Sequence, residues 1–406
     1  MNKQVVDVLI IGGGLTGATL MLALQQLGLQ TLLVDKYPLN TKTQPEFDAR
    51  SLALSPASRN IFQTLEIWEL LAPFATPIEM IHVSEQRQFG VSRLQGTQDM
   101  PLGYVVEVQH LNRVLHEALN KKHVLAPASV TEVINASQVR ISFDNEERVI
   151  QARLIVAADG THSTLRQFYN LPSVTKIYLQ QAIVTNVGIE RPHDGCAYER
   201  FTAQGPLALL PLQGKRMSLV WSVAPQQAEH LLNQSETQFL QELQQNFGFR
   251  LGRFTQMGTR STFKLQQVIM PQQTKDSVVF IGNAAHTLHP VAGQGFNLGL
   301  RDVATLIQCI SQFGLSPDML QQYTRMRIQD QKIITYFTDG LINLFSNRLP
   351  GLGVLRGLGL AALDNINPLK KLLARYAGGF AGVIPDLVCG IGLHQIANKE
   401  KTNETL

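Results

Sequence analysis

The chain opens on an apolar, β-branched run, Val5-Val6-Asp7-Val8-Leu9-Ile10-Ile11, which stops at glycine. Such a run reads as a parallel strand buried on both faces. Residues 15–27 then carry a helical pattern stopped by Gly28, and Thr31-Leu32-Leu33-Val34-Asp35 supplies a second strand, completing a β-α-β unit. Pro56 at a helix-start position predicts a further helix over 56–71. Two later apolar runs, 154–158 and 278–281, end at Asp159-Gly160 and Gly282-Asn283, so both read as parallel strands delivering a loop to one edge. Between 77 and 95, and again between 180 and 223, apolar and polar residues alternate instead, as in Met217-Ser218-Leu219-Val220-Trp221. Alternation predicts antiparallel strands with one wet face. The expected architecture is α/β: a discontinuous nucleotide-binding domain (1–76, 101–176, 271–330) interrupted by a β-rich domain (77–100, 177–270), with a helical region over 331–406.

Composition narrows the class. A chain of 406 residues exceeds one ordinary core and can bury enough apolar surface without disulfides. Its three cysteines (Cys196, Cys309, Cys389) are far apart and form no C-x-x-C pair, which argues against a disulfide framework or a zinc site and fits a reducing, cytoplasmic setting. A net charge of +4 without a long basic block gives no reason to expect a nucleic-acid partner. Residues 8–34 carry no charge, yet the Gly-Gly-Gly turn and Gln25, Gln26 and Gln30 within them favour strand, turn and helix over a membrane span.

The turn after the first strand is Gly12-x-Gly14-x-x-Gly17. In that context Gly12 makes the tight turn, Gly14 lets the backbone approach a pyrophosphate, and Gly17 permits close helix-strand packing. Leu15 and Thr16 open the helix whose N-H groups face the phosphate, and Asp35 stands where a carboxylate accepts from ribose hydroxyls. A second glycine cluster, Gly351-x-Gly353 before Arg356 and Gly357, has no strand leading in and reads as a loop. The glycine pattern alone leaves NAD and FAD both open.

Further motifs decide between them by resemblance. Phe47-Asp48-Ala49-Arg50, then Ala158-Asp159-Gly160-x-x-Ser163-x-x-Arg166, then Gly282-Asn283-Ala284-Ala285-His286 with Gly293-Gln294-Gly295-Phe296-Asn297, resemble the ordered motifs of the single-component flavoprotein aromatic hydroxylases. Leu102-Gly103-Tyr104-Val105-Val106-Glu107, Tyr198-Glu199-Arg200-Phe201-Thr202 and Leu288-His289-Pro290-x-Ala292-Gly293 are similar to the ubiquinone-biosynthesis hydroxylases within that family. The resemblance implies a Rossmann-like FAD-binding domain of the aromatic hydroxylase type and a monooxygenase acting through a flavin C4a-hydroperoxide. It places Arg50 on the flavin phosphates or ribose, Gln109 near the cofactor, Asp159, Gly160, Gly282 and Asn283 in cofactor loops, and Pro290 beside the flavin with His289 nearby. Most of the wider family has Asp where this chain has Asn283. Backbone N-H groups of Gly293-Gln294-Gly295-Phe296-Asn297 would face the flavin edge where negative charge develops on reduction. His82, His110, His116 and His123 show no partner arrangement and read as satisfied or solvated histidines.

The implied reductant is NADPH or NADH bound transiently, or a separate electron donor. The implied substrates are O2 and a prenylated phenol, with the apolar stretch 207–212 as pocket wall. The alternatives are a hydroxylase of a small aromatic acid, or a non-catalytic flavin-bearing subunit of a ubiquinone-biosynthesis complex; a homo-oligomer is a further expectation. Residues 341–380 combine apolar positions with Arg348, Arg356, Lys370, Lys371 and Arg375 against Asp364. That pattern suits helices lying on an anionic membrane surface, on the inner face of the cytoplasmic membrane, or helices packed on the flavin domain.

Overall fold

The computed structural model describes residues 3–39, 50–97, 100–289, 293–346, 352–380, 382 and 384–392. Strand Lys3–Ile11 pairs in parallel with Glu146–Ala157 on one side and Thr31–Val34 on the other, and Val278–Phe280 extends the parallel set beyond Glu146–Ala157. The register sets Ile11 beside Ala157 and Val34, and Ala157 beside Phe280. The loops at Gly12, Asp35, Asp159 and Gly282 therefore leave one edge of the sheet, as the apolar runs predict. One face packs on helices Leu15–Gln26 and Gln294–Phe313, the other on strands Ala128–Asn135 and Gln138–Phe143. Burial on both sides explains why these strands are apolar throughout.

The alternating segments build a second sheet, in the order 286–287, 261–269, 174–189, 216–223, 206–212, 196–201, 80–85, 91–95. One face is not wet: it packs on helices Pro225–Asn233 and Glu236–Phe247 around Trp221 and Phe239. The other face looks toward a small sheet of Ser51–Leu54, Gly103–Glu107 and Ala75–Ile78. Strand parity also refines the expected wall at 207–212. Leu207 and Leu209 pack on the helices, while Leu210 and Leu212 face the small sheet.

Two local expectations are corrected. The helix expected over 56–71 breaks into Pro56–Thr64 and Trp68–Leu71, because Glu66 turns with φ +60°. The glycines read as a loop, Gly353 and Gly357, lie inside helix Leu352–Asn365; Gly351 is outside the described residues. A Cβ on Gly357 would lie 2.5 Å from the Phe89 carbonyl oxygen, and one on Gly353 would lie 2.9 Å from the Gln88 side chain. The glycines therefore serve close packing of the helix on the turn between Met80–Glu85 and Val91–Gln95. The Arg356–Glu85 ion pair at 2.5 Å and the Arg93 N-H donated to Asp364 Oδ1 at 2.8 Å fix the same contact. This helix thus backs on the β-rich domain. Among the described residues no helix is long and apolar enough to cross a membrane.

Candidate active site

The Gly12 turn is built as its spacing demands. Gly12 has φ +107°, and a Cβ on Gly17 would sit 1.9 Å from the Gly12 carbonyl oxygen. A Cβ on Gly14 would meet nothing within 4 Å. Gly14 caps helix Leu15–Gln26 without a side-chain hydrogen bond, so the first N-H groups, those of Leu15 and Thr16 included, open onto that space. Unsatisfied N-H groups at the positive end of a helix form an anion site. Asp35 accepts the Gly13 N-H at 2.5 Å and the Tyr37 N-H at 2.7 Å, which fixes its carboxylate beside the turn. His116, read from sequence as a satisfied or solvated histidine, holds the other side: its Nε2 lies 2.9 Å from the Gly13 carbonyl oxygen.

Three further loops converge here. A Cβ on Gly282, whose φ is +56°, would lie 3.0 Å from Thr16 Oγ1, so the Gly282 loop rests on the first turn of the glycine-loop helix. Asn283 is exposed beside it. Asp159 caps the short helix after it by accepting the Thr164 N-H at 2.7 Å. Burial raises the Asp159 carboxyl, with Ser163 opposing, and its Oδ1 is buried without a hydrogen-bond partner. Gly160, at φ +85°, has open space where a Cβ would stand. Arg166 ties the two loops together, donating to Ala284 O at 3.0 Å and Thr161 O at 2.5 Å. Arg50 and Gln109 are neighbours because the Val108 N-H donates to the Arg50 carbonyl at 2.7 Å.

Helix Gln294–Phe313 presents a second uncapped N-terminus at Gly293, with Gln294, Gly295 and Phe296 in its first turn. Asn297 anchors that turn: its Nδ2 donates to Ala53 O and Gly293 O, each at 2.9 Å, and its Oδ1 accepts from Ser55 N at 2.9 Å and Ser58 Oγ at 2.7 Å. Its amide is thus engaged with protein.

Beneath the loops lies a charged network that sequence reading missed. Asp302 is fully buried; its Oδ2 accepts the Gly282 N-H at 2.8 Å and sits 2.6 Å from His286 Nε2, and its Oδ1 accepts Arg327 Nε at 2.7 Å. Asp330 pairs with Arg327 and, at 2.5 Å, with Arg301. Burial alone would raise the Asp302 carboxyl, but the His286 ring and the Arg327 guanidinium hold it down at about 2. Low dielectric makes such a buried, charge-paired set intolerant of a missing member. Only the interruption of an apolar helix by Arg301-Asp302 hinted at it.

His289 is fully buried, edge-on to Tyr178 at 4.9 Å. Burial pushes its ring down to about 4, with Asp339 opposing, so it is neutral at pH 7. Pro290 lies outside the described residues. Phe47, Asp48 and Ala49 of the first resemblance motif also lie outside them.

Open space at Gly14, two uncapped helix N-termini and the orphaned Asp159 oxygen fit a dinucleotide with a reducible ring. Residues 5–337 match the family described as FAD binding domain, and the chain belongs to it. It is an FAD-dependent monooxygenase of the aromatic hydroxylase class, with FAD as cofactor. Among its relatives, ubiquinone hydroxylase UbiL of Rhodospirillum rubrum is 34% identical over 94% of this chain and 92% of its own length. The 3-demethoxyubiquinol 3-hydroxylase of Escherichia coli is 31% identical over 93% of this chain and 100% of its own. Among solved structures, p-nitrophenol 4-monooxygenase PnpA of Pseudomonas putida superposes with a TM-score of 0.76 at 17% identity, covering 94% of this chain and 99% of that one, which carries the fold.

Proposed function

We propose that this enzyme hydroxylates the ring of a polyprenylated phenol, of the 2-octaprenyl-6-methoxyphenol type, in ubiquinone biosynthesis. Two relatives more than 30% identical over nearly the whole chain are named as ubiquinone or ubiquinol hydroxylases. The observation that carries the reading to a prenylated substrate is the sheet face opposite the Gly293 turn. There Ile81, Ala197, Leu210 and Leu212 form an apolar cluster with Ile78 and Val105. The nearby cations are already paired, Arg216 with Glu107 at 3.2 Å and Arg356 with Glu85. Among the described residues a free aromatic carboxylate would find no open guanidinium on that wall, whereas a prenyl chain would cover the part-exposed Ile81 and Leu210.

Bound FAD, once reduced, supplies oxygen activation, and NADPH or NADH serves as transient reductant. The protein's part is to hold the flavin on the two helix N-termini and to keep water from the reacting ring with the apolar wall. His289 and the Pro290 turn are assigned to positioning the substrate ring. Product analysis with a short-chain prenylphenol and with 4-hydroxybenzoate tests the reading: hydroxylated prenylphenol is expected, and turnover of the carboxylate alone would overturn it.

The substrate's home in a bilayer calls for a surface contact. Helix Leu352–Asn365 leaves Val354, Leu355 and Leu358 exposed on the side away from the Gly353–Gly357 contact, and helix Asn367–Ala377 leaves Leu369 and Leu372 exposed beside Lys370 and Lys371. Apolar positions beside Lys371, with Lys370 paired to Asp364 at 3.0 Å, suit an anionic membrane surface and support a peripheral position on the cytoplasmic face.

A further inference from the structure

Strand Cys196–Phe201 alternates between two environments. Tyr198 and Arg200 turn toward the helical backing, where the Tyr198 ring lies 5.2 Å from Phe247 and Arg200 Nε donates to Asn246 O at 2.9 Å. Ala197 turns the other way, into the cluster with Ile78, Val105 and Leu212 against which Ala53 and Leu210 pack. Ala53 also touches the flavin-facing turn: its carbonyl accepts Asn297 Nδ2 at 2.9 Å, and a Cβ on Gly293 would lie 3.3 Å from its Cβ. Two residues beyond Ala197 on the same face stands Glu199, flanked in register by Val83 and Ala208.

Glu199 is the anomaly of this wall. Glu85, Glu107 and Asp339 each pair with a cation, Arg356, Arg216 and Lys176 respectively. Glu199 makes no ion pair or hydrogen bond among the described residues. An unpartnered carboxyl on an apolar inner wall carries a desolvation cost that the fold itself does not offset. Glu199 is of intermediate exposure, as are Val83 and Ala208 on either side of it, and desolvation pushes its carboxyl up to about 7.

We propose that Glu199 is a catalytic base that accepts the proton of the substrate's phenolic hydroxyl. The proposal rests on the ring-hydroxylase reading above. The O-H bond breaks, its proton passes to a Glu199 carboxylate oxygen, and the electron pair left on the phenol oxygen enriches the ring carbon that takes up one oxygen atom of O2. As the new C-O bond forms, the phenol oxygen becomes a carbonyl. Loss of the ring C-H proton and return of the Glu199 proton to that oxygen restore the aromatic diol and the carboxylate. The second oxygen atom leaves as water, and the reduced nicotinamide supplies the two electrons.

The test compares wild type with Glu199→Gln, both flavin-loaded, using 2-prenylphenol and a pH series. Wild-type kcat for product is expected to rise through pH 7 and then level. E199Q should lose ~10²-fold in kcat at pH 8, the lower end for general-base catalysis, with KM little changed. Its residual rate should climb only toward pH ~10, where a phenol ionises by itself. Difference absorbance of bound 2-prenylphenol gives a readout independent of turnover: a phenol O-H donated to the Glu199 carboxylate should red-shift the bound phenol band on wild type above pH 7 and not on E199Q. E199Q turnover within threefold of wild type with an unchanged pH break, or no red shift of bound phenol on wild type at pH 8, would overturn the base. Wild type that shows the red shift yet yields no hydroxylated product would overturn the hydroxylase reading instead.

Discussion

Replacing Gly14 by Val should empty the cofactor site without unfolding the protein. Gly14 has φ −66° and ψ −176°, extended backbone open to any residue, and a Cβ there meets no protein atom within 4 Å. The apoprotein therefore loses only the modest preference for Gly over Val at a helix cap, offset by a less flexible unfolded chain, for a net change within about 1 kcal/mol. The isopropyl group would fill the space proposed for the pyrophosphate. Losing two charge-assisted N-H contacts at about 1.5–3 kcal/mol each weakens FAD binding by ~10²–10⁴-fold. Gly17→Ala is the contrasting control, because its Cβ would collide with the Gly12 carbonyl at 1.9 Å and must distort the turn itself. Flavin absorbance near 450 nm per mole of purified protein, and thermal melts of apoprotein with and without FAD, separate the two. G14V should be colourless, melt like wild-type apoprotein and gain nothing from FAD, while G17A should melt lower even without cofactor. A yellow G14V at wild-type stoichiometry would refute the placement of the phosphate.

Asp302→Asn should lower stability in urea by about 3–5 kcal/mol and weaken FAD retention, since it removes a buried charge shared by His286, Arg327 and the Gly282 N-H; a loss under 1 kcal/mol would contradict the network's role. His116→Leu should cost about 1 kcal/mol of FAD affinity, roughly fivefold, by releasing the Gly13 carbonyl, as read by flavin titration. His289 is held near 4 in the fold, so the unfolded chain binds its proton first, and stability present above pH 6.5 is lost as pH falls toward 4. His289→Gln should remove up to about 3 kcal/mol of that acid dependence in calorimetry, and an unchanged slope would show the ring is not so buried. Leu355→Glu with Leu358→Glu should abolish flotation with anionic vesicles while leaving flavin content intact, since both positions are exposed; undiminished flotation would remove the membrane proposal.

What was legible in the sequence depended on how local the physics is. Gly12, Gly14, Gly17 and Asp35 are readable because a phosphate turn fixes its spacing within one β-α-β unit. The ends of the parallel strands could be placed because strands buried on both faces are apolar without interruption. His116 was not legible, since its partner lies 103 positions away and nothing near it in sequence announces a contact. Gly353 and Gly357 misled for the same reason: a glycine in a helix looks like a break until the turn it packs on, near Phe89, is in view. The apolar stretch 207–212 was expected as one pocket wall, but parity splits it between two packing faces, Leu207 and Leu209 toward the helices and Leu210 and Leu212 toward the small sheet. Glu199 stood in a recognised motif, yet its isolation shows only once Arg200 is seen to turn away toward Asn246.

The most direct measurement of the central claim is incorporation of labelled oxygen. Flavin-loaded protein, NAD(P)H and a short-chain prenylphenol are incubated under 18O2, and the product is analysed by mass spectrometry. A ring hydroxylase places one 18O atom on the ring of the product, in step with reductant consumed. Reductant and O2 consumed with hydrogen peroxide released and no 18O on the ring would contradict it.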